Sequence, residues 1–229
     1  SHEGFAYSEV ALSHQAAGDT WTYESLDHFL AAPKAFMPGT KMNFAGVKSP
    51  EERAYTALDL NDKKACMITS PAPQPGEGEG SATYECRGYG DYVVTFFEGD
   101  LRSYITFGTD TADQCAVRQT FSGFNSIGNK IEWRLRDGKP IATILRWTVS
   151  YDPENAEKTK TWLVVTKLDG DEACHMGYVE GAAPNANEAA QKLADDFATS
   201  FSCKTSKPII IANSGTVTEN IAANDGCQR

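Results

Sequence analysis

The run IATILRWTVSY, residues 141–151, places Ile141, Thr143, Leu145, Trp147, Val149 and Tyr151 at alternate positions. A period of two, filled with β-branched and aromatic residues, is the pattern of a strand with one buried face. Asp137-Gly138 just upstream is a two-residue hairpin signal, because both positions tolerate positive φ. The hairpin joins this strand to Ile131-Glu-Trp-Arg-Leu-Arg136. Working outward, Tyr92-Val-Val-Thr-Phe-Phe97, Leu101-Arg-Ser-Tyr-Ile-Thr-Phe107 and Thr161-Trp-Leu-Val-Val-Thr166 have the same composition and predict further strands. Residues 186–199 instead repeat at helical spacing, with Ala189, Ala190, Leu193 and Phe197 as the apolar stripe. An antiparallel sheet with one late helix packed across it follows for this part of the chain.

The chain has 229 residues, 41% apolar and 23% charged, with a net charge of −10. These proportions suit a folded globular protein, and the acidity disfavours broad attraction to nucleic acid or anionic lipid. No run of eighteen apolar residues occurs, and Glu3 and Glu9 interrupt the opening stretch, so neither membrane insertion nor a signal peptide is expected. Either a signal has been removed or the start is missing.

The cysteines divide the chain. None precedes Cys66, whereas Cys66, Cys86, Cys115, Cys174, Cys203 and Cys227 all follow it, without Cys-x-x-Cys spacing. Wide spacing in an even set predicts structural disulfides and an oxidising, periplasmic or otherwise extracytoplasmic setting. Order and spacing favour Cys66–Cys86 and Cys174–Cys203, leaving Cys115 and Cys227 as a third pair among the many that six cysteines permit. Pro71 to Gly80 reads as a loop inside this second part. Ser49-Pro50-Glu51-Glu52 reads as a helix start, with the helix running from Arg53 to Leu60.

In the first part, Thr22 to Leu30 reads as a short amphipathic helix with Leu26, Phe29 and Leu30 on its apolar side. Pro33 stops it, and an irregular segment from Phe36 to Val47 follows. Set out in this way, Gly4-Phe-Ala-Tyr-Ser8, Thr20-Trp21-Thr22, Leu26 to Phe36 and above all Pro38-Gly-Thr-Lys-Met-Asn-Phe-Ala-Gly46 resemble the C-terminal half of a class I cytochrome c. The resemblance covers residues 1 to about 54. It implies a small all-α module (1–58), haem c as cofactor, and Met42 as axial ligand to iron. Tyr7 and Trp21 would hydrogen-bond a haem propionate, Thr40 would help to satisfy the same group, and Phe44 would shield the haem edge. A thioether ligand favours ferrous iron and suits an electron carrier that docks a redox partner protein, here around Lys34, Lys41 and Lys48.

The same resemblance implies a Cys-x-x-Cys-His attachment segment, which this chain lacks. Asp171-Glu-Ala-Cys-His175 is the nearest approach and reads better as a strand with a disulfide cysteine. His2, His14 and His28 read as surface residues.

Residues 60–229 loosely resemble bacterial extracytoplasmic domains of unknown function, through Cys86-Arg-Gly-Tyr89, Glu132-Trp-Arg-Leu-Arg136 and the late cysteine pair. The expected fold is therefore two-part: the all-α cytochrome-like fragment, then a disulfide-stapled α+β domain over 59–229. Arg134, Arg136 and Arg146 share a face with Glu132, either as an anion-binding patch or as a solvated charged face. No nucleophile, metal-protease or phosphate-loop pattern occurs, so the chain reads as an electron carrier rather than an enzyme. The alternative is a non-catalytic binding or interaction protein whose cytochrome half is a relic or gene fragment.

Overall fold

A computed structural model describes residues 29, 32–36, 38, 55–62, 64–70, 82–108, 114–170, 172–213 and 227. The chain divides into two units, Ser1–Tyr55 and Thr56–Arg229. In the first unit the described residues include α1 (Pro33–Phe36), whose Ala35 and Phe36 amides donate to the Ala32 carbonyl. Pro33 opens this helical turn, because its missing N–H costs nothing at a first helical position; of the helix expected to end before it, only Phe29 is among the described residues, and it is helical. The rings of Phe29 and Phe36 meet edge to face at 6.2 Å.

The described chain is mostly β. Ten strands form two sheets: β1 (Tyr55–Asp59), β2 (Cys66–Ser70), β3 (Thr83–Arg87), β4 (Val93–Gly99), β5 (Arg102–Phe107), β6 (Asn125–Arg136), β7 (Lys139–Ser150), β8 (Thr159–Asp169), β9 (Glu172–Glu180) and β10 (Ile209–Ile211). One sheet has the order β1-β6-β7-β8-β9-β10, and the other β2-β3-β4-β5. Only α1 and α2 (Ala186–Phe197) are α-helical elements among the described residues.

This corrects the expected two-part fold of a small all-α fragment followed by a single-sheet α+β domain. The predicted 1–58 boundary falls inside β1, and the stretch from Arg53 to Leu60, expected as helix, contains that strand. β1 forms one edge of the six-stranded sheet beside β6, and the Leu60 amide donates to the Asn129 carbonyl at 2.7 Å. A free sheet edge outweighs the weak helix signal of Pro50 and its acids. The six-stranded sheet is also not purely antiparallel, since β10 runs parallel to β9.

Asp137 and Gly138 turn the β6–β7 hairpin with φ of 51° and 73°. In β7 the expected single buried face becomes two for a third of its length: Ala142, Thr143, Ile144 and Leu145 are all buried. The reason is α2, which covers Ala142 and Ile144 together with Leu163, Val165, Met176 and Val179. Where its cover ends, alternation returns with Arg146 exposed and Trp147 buried. On α2 the buried residues are Ala190, Leu193 and Ala194, while Phe197 remains 42% exposed. The opposite face of the sheet carries Trp133, Trp147 and Trp162. Phe107 of β5 packs edge-on against Trp133 at 5.9 Å, as does Tyr92 at 5.7 Å.

Candidate functional site

Tyr7, Trp21, Thr40, Met42 and Phe44, the haem-side residues read from sequence, lie outside the described residues, as do Lys41 and Lys48. Lys34 is described and exposed.

The arginines are placed in detail. Arg134 donates from Nε to Asp195 Oδ1 at 3.1 Å, from Nη2 to Asp195 Oδ2 at 2.6 Å, and from Nη1 to Glu132 Oε1 at 3.2 Å. Burial alone would lower its pKa, but the hydrogen bonds and negative charge of Asp195 and Glu132 outweigh that and raise it. Arg136 reaches the Asp195 carbonyl and Thr199 Oγ1, Arg146 reaches Asn187 Oδ1 at 3.3 Å, and Gln191 donates to Glu132 at 2.9 Å. Asn187, Gln191 and Asp195 recur every fourth residue, so they form one polar stripe along α2, and Thr199 follows just past its end. Arg134 and Arg136 are tied to Asp195 on that stripe, and Arg146 makes one contact with it through Asn187. Asp195→Ala leaves a guanidinium of 10% side-chain exposure with Glu132 as its remaining carboxylate. Because Asp195 is itself 43% exposed, the expected loss is a modest 1–3 kcal/mol, roughly, read as a lower urea midpoint.

All six cysteines are joined, as Cys66–Cys86 and Cys174–Cys203, the two pairs favoured by order and spacing, and Cys115–Cys227, the pair left over. His175 sits in the core, not beside an attachment site. Its amide donates to Gln119 Oε1 at 2.7 Å, and its Nδ1 lies 3.1 Å from the Tyr178 hydroxyl. Burial lowers its pKa to about 3. Among the described residues, no three His, Cys, Asp or Glu side chains converge as a metal site, and no helix is long and apolar enough to cross a membrane.

One open cleft, of about 630 Å³, was not read from sequence. Its floor is Phe121, Val149 and Trp162, all buried. One wall is the loop 120–124, shaped by Asn125. The Asn125 Nδ2 group donates to the Gly123 carbonyl at 2.8 Å and the Phe121 carbonyl at 3.3 Å, while its Oδ1 accepts the Ser103 amide at 3.0 Å. Gly123 is required there, since a Cβ would stand 2.2 Å from the Ser150 carbonyl oxygen. The other wall follows β7. In it the Tyr151 amide pairs with the Lys158 carbonyl, and Asp152 accepts the Glu154 amide at 2.9 Å and Lys158 Nζ at 2.7 Å. Those two hydrogen bonds, the Lys158 one foremost, hold the Asp152 carboxyl below its ordinary pKa.

Two exposed rings form the lips, Phe124 at 43% and Tyr151 at 56%. Arg102 lies 5.8 Å over Phe124 and Lys160 lies 5.6 Å over Tyr151. The only sequence hint was local: aromatic residues inside turn signals, in Phe121-Ser-Gly-Phe124 and Tyr151-Asp-Pro153.

Comparison with known proteins finds relatives for one segment. Cytochrome c of Trypanosoma brucei brucei is 56% identical over 52 residues, which are 23% of this chain and 53% of that protein. Cytochrome c-550 of Ancylobacter novellus is 55% identical over 47 residues, 20% of this chain and 44% of that protein. A cytochrome c homolog of Bradyrhizobium diazoefficiens is 39% identical over 72 residues, 31% of this chain and 35% of that protein. The chain thus spans about half the length, or less, of the curated relatives it matches. No family model matches the chain, and no solved structure matches it. The similarity to cytochromes c is thus carried by a segment of 47 to 72 residues, 20% to 31% of the chain.

Proposed function

We propose that the chain is a non-catalytic, cytochrome c-related electron carrier in which Met42 ligates a haem iron. The observation that carries this reading is the run Pro38 to Gly46, in a chain with 56% identity to a cytochrome c over 52 residues. A thioether fits axial ligation and supports a raised reduction potential. The cysteines do not fit covalent attachment, because the chain has no Cys-x-x-Cys-His and its six thiols are joined in pairs. A haem bound by this chain alone is therefore held without thioether links to it. Tyr7 and Trp21 are assigned to a propionate, with Thr40 beside them and Phe44 over the edge. Lys34, Lys41 and Lys48 are assigned to the docking of a redox partner. Three disulfides support an extracytoplasmic, periplasmic setting.

The test is a visible spectrum and a pyridine haemochrome assay on the full chain, made in a host that assembles c-type cytochromes. The expected result is a Soret band from haem that acidified acetone extracts, with a lowered midpoint potential in Met42→Ala. Lack of a Soret band sinks electron transfer through this chain.

A second reading, a binding protein acting through its β unit, is favoured by the aromatic cleft at Phe124 and Tyr151. Under that reading the cytochrome-like segment is a relic.

A further inference from the structure

The cleft between the 120–124 loop and the end of β7 has the size of a small-molecule site, with an apolar floor and polar groups confined to its rim. Its hydrogen-bonding capacity is one-sided. The backbone carbonyls of Phe121, Gly123 and Phe124 already accept from Asn125 and from the Ser150 amide. Ser122 accepts twice from Arg102, at 3.3 Å from Nε and 3.0 Å from Nη2. Both carboxylate oxygens of Asp152, the one acidic residue of the lining, are taken by Glu154 and Lys158. Each of these acceptors already has a partner.

The donors are not all taken. Lys160 Nζ makes an ion pair with Glu180 at 3.1 Å and keeps two protons for a guest. Arg102 engages Asp100 through Nη1 and Ser122 through Nε and one Nη2 proton, which leaves the other Nη2 proton. Each cation stands over an aromatic ring at the mouth. A guest must therefore be flat and apolar enough to lie on Phe121 and Trp162 between the exposed rings. It must also bring oxygen acceptors, preferably charged, to the rim.

We propose that this cleft binds a planar aromatic carboxylate, its ring lying on the Phe121–Trp162 floor and its carboxylate meeting Lys160 and Arg102. All of its lining residues belong to the second unit, so its test and that of electron transfer can fail separately.

The test titrates the full chain with 1-naphthoate, following backbone amide signals and heat of binding, with 1-naphthylmethylamine as the cationic counterpart. Saturable binding of the acid is expected, with shifts concentrated at Ser122, Gly123, Phe124, Tyr151 and Lys160. Loss of one charge-assisted hydrogen bond in Lys160→Gln should weaken it roughly tenfold. Tyr151→Ala, at an exposed ring that leaves the fold intact, should weaken it by a comparable factor, again roughly tenfold. The amine should not compete. No saturation by ~10 mM acid, a concentration far weaker than any specific site requires, overturns the proposal. So does equal binding of the amine, or affinity unchanged in both variants.

Discussion

Acidification from pH 6.5 to pH 3 is expected to cost the fold about 4 kcal/mol through His175 alone. The imidazole is fully enclosed between Trp147, 6.0 Å away ring to ring, and Tyr178, and its hydrogen-bond partners are neutral. No carboxylate is among them to favour the imidazolium, so burial drops its pKa from 6.5 to about 3. The unfolded chain then binds a proton that the folded chain refuses. Stability from this group is fully present above pH 6.5 and falls as pH drops, until the folded ring itself protonates near 3. Buried carboxylates begin to matter only lower. Glu180, held low first by the Asn213 amide and then by Lys160, loses its contribution below its unfolded value of 4.5.

The window between pH 6.5 and 4.5 therefore separates the two causes. Urea unfolding should show a mean slope of about 1 kcal/mol per pH unit there, and His175→Gln should flatten it even where its absolute stability is lower. An unchanged slope in His175→Gln means that the histidine is not buried neutral.

The pattern that made β7 legible also explains what stayed hidden. Period-two alternation reports one buried face, and Thr143, Leu145, Trp147 and Val149 do lie on one. Alternation cannot report a second cover, so Ala142 and Ile144 gave no sign of α2 above them. The same blindness affected the arginines: strand parity put Arg134 and Arg136 on one face, but their partners lie some sixty residues away on a helix. β10 is three isoleucines, and its parallel pairing with β9 depends on the intervening helix, not on any local signal. The cleft was illegible for a related reason, since Arg102, Phe124, Tyr151 and Lys160 come from separate segments that only the sheet register brings together. Met42 is the opposite case: its reading as a ligand comes from a contiguous motif, and it lies outside the described residues.

Removing the Cys115–Cys227 bridge is expected to lower stability by about 5 kcal/mol, more than removing Cys66–Cys86, at about 3 kcal/mol. The difference follows from loop length, since the first pair closes 112 residues and the second 20. Enclosing a longer segment takes more conformations away from the unfolded chain, though only logarithmically. The folded state changes little at the site itself. Gln114 still receives the Phe107 amide at 3.1 Å and Gln119 the His175 amide at 2.7 Å, so the 114–119 segment continues to tie β5 to β9. What is freed is Cys227, now buried among the residues packed around α2.

Paired serine substitutions, Cys115→Ser with Cys227→Ser and Cys66→Ser with Cys86→Ser, compared by urea midpoint, provide the measurement. A thiol titration of the denatured, unreduced parent should find no free thiol and so confirm that each bridge was present to be removed. If the 66–86 variant proves the more damaged, loop entropy is not what these bridges contribute, and the native contacts of the β2–β3 edge must outweigh it.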